Sequence, residues 1–469
     1  MTTHPQSRRT FLKNSGLGFG ALALGDLLSR DARAASTNPL APRLPHLPGT
    51  AKSVIFLFMQ GGPSQMETFD PKPVLAQYDG KLLPKELQDY DLAQINAADS
   101  KIMAPQFPFK KHGQSGLEIS SIFPHLAKHA DKLAVVRSLH HDLFIHGSAI
   151  VMIHSGTRLL GHPSAGAWVT YGLGCDSDNL PAYVAMTDSM FRNGSSMYSS
   201  GFLPAIYQGT DMRIEGVPIR NLQRHPEVSA GQQRLLLDHI NDWNRQHLET
   251  RPGDTRLDAR IANYELAFRM QTAAPDVVDL SGESSETRSL YGIDQGHSER
   301  FGKMCLMARR LVERGVRYVQ LINGGWDAHS DCKGNHAGQG GKVDQPIAGL
   351  IADLEQRGLL ESTLLVWTGE FGRTPVRQGS NGRDHHPYGF SGWLAGGGVA
   401  GGQTIGATDD FGFAAVEDKV HVNDLHATML GLLGIDHELL TYPFEGRKRR
   451  LTDVGGKNNL TQRLVSRQS

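Results

Sequence analysis

Three short runs bring carboxylates and imidazoles to places where an apolar, strand-like stretch gives way to a loop. They are Asn323-Gly324-Gly325-Trp326-Asp327-Ala328-His329, Gly369-Glu370-Phe371-Gly372-Arg373-Thr374-Pro375 and Arg383-Asp384-His385-His386-Pro387. Imidazole mixed with carboxylate is the donor set that borderline divalent metals prefer, and metal-assisted hydrolysis is the chemistry it suggests. Asp327 and His329 stand two apart, after glycines that free the backbone. In an extended loop they can face the same way and share a metal; the competing role for Asp327 is to cap a turn. Glu370 is the first polar group past a predicted strand, and Arg373 follows three residues later. Either the two form an ion pair, or Arg373 steadies an anionic substrate while Glu370 faces the metal as ligand or general base. His385 and His386 cannot both point inward from a regular strand, so one is expected to bind metal and the other to contact substrate. Imidazole must be neutral to ligate, so metal affinity is expected to fall below roughly pH 6.

His146 precedes a helix expected from Ser148 to His154 and ended by Gly156. A helix N-terminus favours negative charge, which suits an oxyanion or a nucleophile. His146 is therefore a candidate nucleophile or acid, with capping or packing as the alternative. Two other patterns are set aside. Gly396 to Gly401 matches G-x-G-x-x-G, but no helix pattern follows it. Arg447 to Arg450 reads as a solvated basic patch.

The elements that must position these groups alternate. Val54–Met59, Leu133–Val136, Val316–Ile322 and Leu364–Thr368 read as strands buried on both faces. Ile122–Asp131, a helix capped by Ser298, Gln345–Arg357 with Pro346 in its first turn, and Asp424–Leu433 read as helices. Such alternation predicts an α/β fold, with a doubly wound and mostly parallel sheet flanked by helices. Ligands then gather outside the carboxyl ends of the strands, where the three runs lie. From about 187 to 300 the pattern becomes helical, with a Ser229/Gln232 capping box followed by Leu236, Ile240 and Trp243 at helical spacing. A second helix is expected over Leu257–Met270 and a mobile loop over Ser281–Thr287. The region reads as a helical insertion or lid.

The 469 residues suffice for one large α/β domain or for several smaller ones. With 48 residues of each charge sign, no basic field exists to hold nucleic acid. The three cysteines form no C-x-x-C pair, so neither a disulfide framework nor a thiolate zinc site is supported. Residues 1–34 read as a twin-arginine signal, with Arg8-Arg9 ahead of a short apolar stretch and Ala32-Arg33-Ala34 as its cleavage site. The mature chain is expected outside the cytoplasmic membrane, with no transmembrane anchor. Residues 35–50 read as an extended proline-rich linker, 51–455 as the folded domain and 456–469 as a tail.

FMQGGPSQMETFDPKP (58–73), HSGTRLLGHPSAGAWVTYGLG (154–174), NGGWDAHSD (323–331), WTGEFGRTP (367–375) and GRDHHPYGFSGWLAGGG (382–398) together resemble one family. It is the domain-of-unknown-function fifteen-oh-one family of twin-arginine-exported bacterial proteins, placed in the alkaline phosphatase and sulfatase superfamily. The resemblance implies an alkaline-phosphatase-like fold. It places Gln60 where a metal-binding aspartate ends the first strand, and His146 at the nucleophile position. It places Glu370-Phe371 at a ligand pair whose second member is missing. Asp327 and His329, with His385 or His386, resemble a metal's ligand set, so the candidate metal contacts are Asp327, His329, His385, His386, Glu370 and Gln60. The expectation is an exported hydrolase of phosphate or sulfate esters, or of a sulfated or phosphorylated polymer, holding one divalent metal such as zinc or calcium. The alternative is a non-catalytic binding or complex-forming protein on the same fold with a degenerate metal site.

Overall fold

The protein was analysed as a computed structural model, which describes residues 38–220, 222–251 and 255–465. The twin-arginine segment lies outside the described residues. At the centre is a nine-stranded sheet. Its middle strand, β1 (Ser53–Gln60), is buried throughout. Val54, Phe56 and Phe58 enter one hydrophobic cluster with Trp168 and Leu425. Ile55, Leu57 and Met59 enter a second with Phe301 and Leu354. A strand buried on both faces has no use for polar alternation, which is why this run is continuously apolar. Each such side chain contributes about 1.5–3 kcal/mol on full burial.

The other strands of interest are β2 (Ala134–His140), β3 (Tyr183–Thr187), β4 (Thr210–Asp211), β5 (Tyr318–Gly324) and β6 (Thr363–Thr368). They are followed by β7 (Gly372–Gln378), β8 (Gly382–His386), β9 (Phe390–Ala395), β10 (Gln403–Ile405) and β11 (Val420–His421). The main sheet runs β10-β2-β9-β6-β1-β5-β3-β4, with β11 also paired to β2. β1 lies parallel to both β5 and β6. Only β9 is antiparallel, against β2 and β6. Two reversals leave β2 parallel to β6, so the carboxyl ends of β1, β2, β5 and β6 share one edge.

Helices cover both faces. α1 (His146–Ser155) and α2 (Ala165–Leu173) pack on the first cluster. α3 (Ala230–Glu249), α4 (Thr255–Val278) and α5 (Ser285–Leu290) follow in the region read as an insertion. α6 (Glu299–Glu313) and α7 (Cys332–Gln356) cover the second cluster, and α8 (Val422–Leu432) returns to the first. The expected α/β class, with a mostly parallel sheet flanked by helices, is the architecture observed. Among the described residues no helix is long and apolar enough to cross a membrane.

Several local expectations differ. The segment Ile122–Asp131 is not an α-helix but a 3-10 stretch at Leu126–Lys132. Pro124 bars the helical conformation for the residue before it, and Asp344 accepts from the His125 and Leu126 amides at 2.8 Å each. α7 begins at Cys332, well before Gln345, so Pro346 lies inside it. Ser298 does not cap α6 through its side chain; its hydroxyl donates to the Gly292 carbonyl at 2.8 Å. The polar stretch Ser281–Thr287 turns into α5, where Ser284 accepts from the Thr287 amide. Leu236 and Trp243 face outward, at 59% and 70% exposure. α3 instead meets α4 through polar groups, with Arg234 2.7 Å from Glu265 and Asn241 bonded to the same carboxylate. The described part of the linker docks on the domain: Leu40 is buried, the Arg43 amide donates to Leu173, and the Leu47 amide donates to Gly434. The segment read as a tail also packs, with Leu460 and Leu464 buried.

Candidate metal centre

Asp327 and His329 follow β5, Glu370 follows β6, His146 opens α1 after β2, and His385 lies in β8. The first four sit at the shared sheet edge because parallel strands deliver their carboxyl ends to the same side. His385 arrives differently, on a hairpin: β8 pairs antiparallel with β7, His385 opposite Arg373. Close approach of the chain holds these parts together. Gly61 has φ near 120°, and a Cβ there would meet the Asp327 amide at 2.5 Å. The Arg383 amide donates to the Ala328 carbonyl at 3.0 Å, tying the hairpin to the loop after β5.

One ligand atom each from His146, Asp327, His329 and His385 lies within 4.8 Å of the others, a grouping able to hold a metal ion. His146 Nε2 is 3.0 Å from Asp327 Oδ2, while His329 Nε2 and His385 Nε2 are 3.0 and 3.2 Å from Oδ1. The two Nε2 atoms of His329 and His385 are 2.9 Å apart. Each Nδ1 is engaged elsewhere: His146 with Glu370 Oε1 at 2.6 Å, His385 with the Phe144 carbonyl at 2.8 Å, and His329 with Gln378 Oε1. All three outer partners are acceptors, so each ring places its proton on Nδ1 and turns a lone pair on Nε2 inward. Three lone pairs facing one another and a carboxylate repel without a cation between them. His146 Nε2 is buried and, despite its proximity to Asp327, lacks the alignment of a hydrogen bond. The donor chemistry fits a metal.

Electrostatics agree with that fit. Burial works against charge on Asp327, but His146, His385 and Arg373 outweigh it and hold its carboxyl far below the ordinary range. Burial, with the nearby charges of Arg373 and His146, pushes His385 down and keeps it neutral, against the pull of Asp327. For His146 burial works against charge, but Asp327 and Glu370 outweigh it and raise it.

The remaining candidates take other places. Glu370 is fully buried behind His146, accepting from the Gly61 amide at 2.9 and 3.0 Å, so it orients a ligand rather than reaching the cluster. Arg373 is fully buried as well. It donates to Asp327 Oδ1 at 2.7 Å, to the Gly62 carbonyl at 3.0 Å and to the Gly61 carbonyl. His386, on the opposite side of β8, bonds the Phe413 carbonyl and is absent from the cluster. Gln60 is also outside it: its side-chain amide holds the loop after β3, accepting from the Arg192 amide at 3.1 Å and donating to the Met190 carbonyl at 3.3 Å. His146 has its Nδ1 tied to Glu370 and its Nε2 in the cluster, 3.0 Å from Asp327 Oδ2. Phe371 fills the position beside Glu370 and packs its ring on His146 and His385, with centroids 4.9 and 4.6 Å away.

Two residues escaped the sequence reading. Gln378 sits at the end of β7 with no motif around it. Arg192 lies past the carboxyl end of β3, a position that the same sheet-edge argument covers, but the segment reads as the start of the insertion. Its guanidinium reaches Asp327 Oδ2 at 3.2 Å.

The solved structures to which the chain is similar share little sequence with it. The lipoteichoic acid synthase LtaP from Listeria monocytogenes is 10% identical with a TM-score of 0.38, over 90% of this chain and 80% of that one. The PsFucS1 sulfatase from Pseudoalteromonas sp. is 12% identical with a TM-score of 0.35, over 87% and 73%. A protein in the alkaline phosphatase superfamily from Vibrio parahaemolyticus is 9% identical with a TM-score of 0.34, over 86% and 71%. No curated protein matches the sequence. A family model matches residues 51–464, nearly all of the folded chain, and the protein therefore belongs to the family described as "Protein of unknown function (DUF1501)".

Proposed function

We propose that the protein is an exported, metal-dependent hydrolase of phosphate or sulfate esters, working from a single metal centre. The observation that carries the reading is the inward convergence of three imidazole Nε2 atoms on Asp327, each ring's Nδ1 being tied to an acceptor. His146, His329, His385 and Asp327 would hold the cation. A donor set of three imidazoles and one carboxylate favours zinc or a similar borderline ion over calcium, which takes oxygen ligands. Bound there, such an ion supplies Lewis acidity to an ester oxygen. Glu370 keeps His146 in its donating tautomer, and Arg373 fixes Asp327 from behind. Asp327 and His329, with side chains 25% and 28% exposed, form the side of the centre open to solvent, where an ester can approach. Export rests on the twin-arginine motif, whose residues lie outside the described part of the chain.

Elemental analysis of purified protein, followed by zinc titration of the chelator-treated form, tests the metal centre. Asp327→Asn and His385→Ala are each expected to lower metal occupancy at least tenfold and to abolish any turnover on a panel of phosphate and sulfate esters. Full metal content in both variants would remove the basis of the reading. Phe371 and Gln60, engaged in packing and loop support, favour a second reading in which the centre binds an anionic polymer without cleaving it. A fully metal-loaded protein that turns over no ester on the panel selects that reading.

A further inference from the structure

The anion these readings call for needs a cation it can reach, and Arg373 is closed off. Arg192 is the accessible alternative: its side chain is 42% exposed, and Nη1 and Nη2 lie 3.2 and 3.3 Å from the same Asp327 oxygen that faces His146. The guanidinium is therefore within one carboxylate of the donor cluster, on its solvent side. These contacts take one N–H from each terminal nitrogen, leaving three of the guanidinium's five donors, Nε–H among them, for another acceptor.

Its loop is held by packing and by polar contacts together: Phe191 lies against the first hydrophobic cluster, its ring 4.8 Å from that of Tyr198. Gln60, at the end of the central strand, accepts from the Arg192 amide at 3.1 Å and donates to the Met190 carbonyl at 3.3 Å. Asn193 Nδ2 donates to the Gly147 carbonyl at 2.6 Å, one residue from His146. Met190 itself is 71% exposed, so apolar burial at that residue does not fix the loop. Two amide side chains thus hold the loop at Met190, Arg192 and Asn193, Gln60 from β1 and Asn193 onto the start of α1.

We infer that Arg192 is the residue that recognises the tetrahedral oxyanion, gripping it between its guanidinium and the metal centre, and that Gln60 positions it. The inference rests on the metal-centre reading and deepens it by naming the group that selects an anionic ligand. A tetrahedral oxyanion offers one oxygen to the centre and two to the fork of an arginine.

The test is isothermal titration of inorganic phosphate, and separately of inorganic sulfate, into the zinc-loaded mature chain. Wild type should bind at least one of the two. Arg192→Gln should weaken that binding tenfold or more with zinc content unchanged, and Arg192→Lys should recover part of it. Gln60→Ala should give a smaller loss, also at full zinc content. Anion binding in Arg192→Gln within twofold of wild type overturns the inference. So does loss of zinc from that variant, which would make Arg192 a prop for Asp327, and so does a zinc-loaded wild type that binds neither anion. A wild type that binds phosphate through Arg192 but turns over no ester sustains the inference while ending the hydrolase reading.

Discussion

At the scale of single residues, the centre depends on what stands behind each ligand. Glu370 never reaches the cluster, yet it fixes the His146 tautomer and, through the Gly61 amide, the end of β1. Outer partners of this kind set ligand orientation and basicity, and their loss typically weakens metal affinity about 10–100-fold. Glu370→Gln should therefore bind zinc about tenfold or more weakly in a competition assay with a chromophoric chelator, with the fold intact by circular dichroism. An unchanged affinity would show that His146 needs no orientation. The buried Arg373 has carbonyls and Asp327 as its partners in the structure.

At the scale of elements, the centre is the meeting of a sheet edge and a hairpin. Three of the donors arrive on strand–loop or strand–helix junctions of the parallel sheet, whereas His385 is carried by β8. The contact that registers hairpin to loop is tight. A Cβ on Gly382 would lie 1.9 Å from the His329 carbonyl oxygen. Overpacking of this kind costs about 1–3 kcal/mol or more, and relief requires the hairpin or the loop to move. Gly382→Ala is expected to lower the melting temperature by several degrees and to weaken zinc binding together with it. A variant that melts lower but binds zinc as wild type does would show that the hairpin and the loop are not rigidly coupled.

At the scale of the whole molecule, several histidines serve packing and carry a pH dependence with them. His154 on α1 and His426 on α8 are buried, and burial pushes each down to about 4 although a backbone carbonyl partner opposes it. His154 Nδ1 is 2.8 Å from the Ile150 carbonyl and His426 Nε2 is 2.9 Å from that of Ile153. Folded, these rings bind protons less readily than they do unfolded, near 6.5. The unfolded chain therefore takes up more protons as the pH falls, and stability present above about pH 6.5 is lost progressively on the way down through about 4. Melting temperatures of metal-free protein, measured from pH 7 to pH 4, should fall steadily over that range. A flat profile would contradict the buried, neutral state of the two rings. Using metal-free protein separates this loss from the loss of stability that metal release would bring.

Sequence alone determined the class of fold and the direction of the chemistry. Continuously apolar runs such as Val54–Met59 have one stable use, as strands covered on both faces, and parallel strands must send their following loops to one edge. Carboxylates and imidazoles placed immediately after such runs, as Asp327 and His329 are, were legible for that reason. What only the tertiary structure decided was which of the remaining polar groups look inward. His385 and His386 differ by one position in a strand, and the two-residue period alone sends one to the cluster and the other to Phe413. Glu370 and Arg373 were displaced to supporting places because burial left them no route to solvent. Arg192 entered because Gln60, far from it along the chain, holds its loop against the sheet. Local sequence fixes which face a residue takes once its element exists, but which element lies opposite is set by packing between segments far apart along the chain, such as His385 with Asp327 and Glu370 with His146.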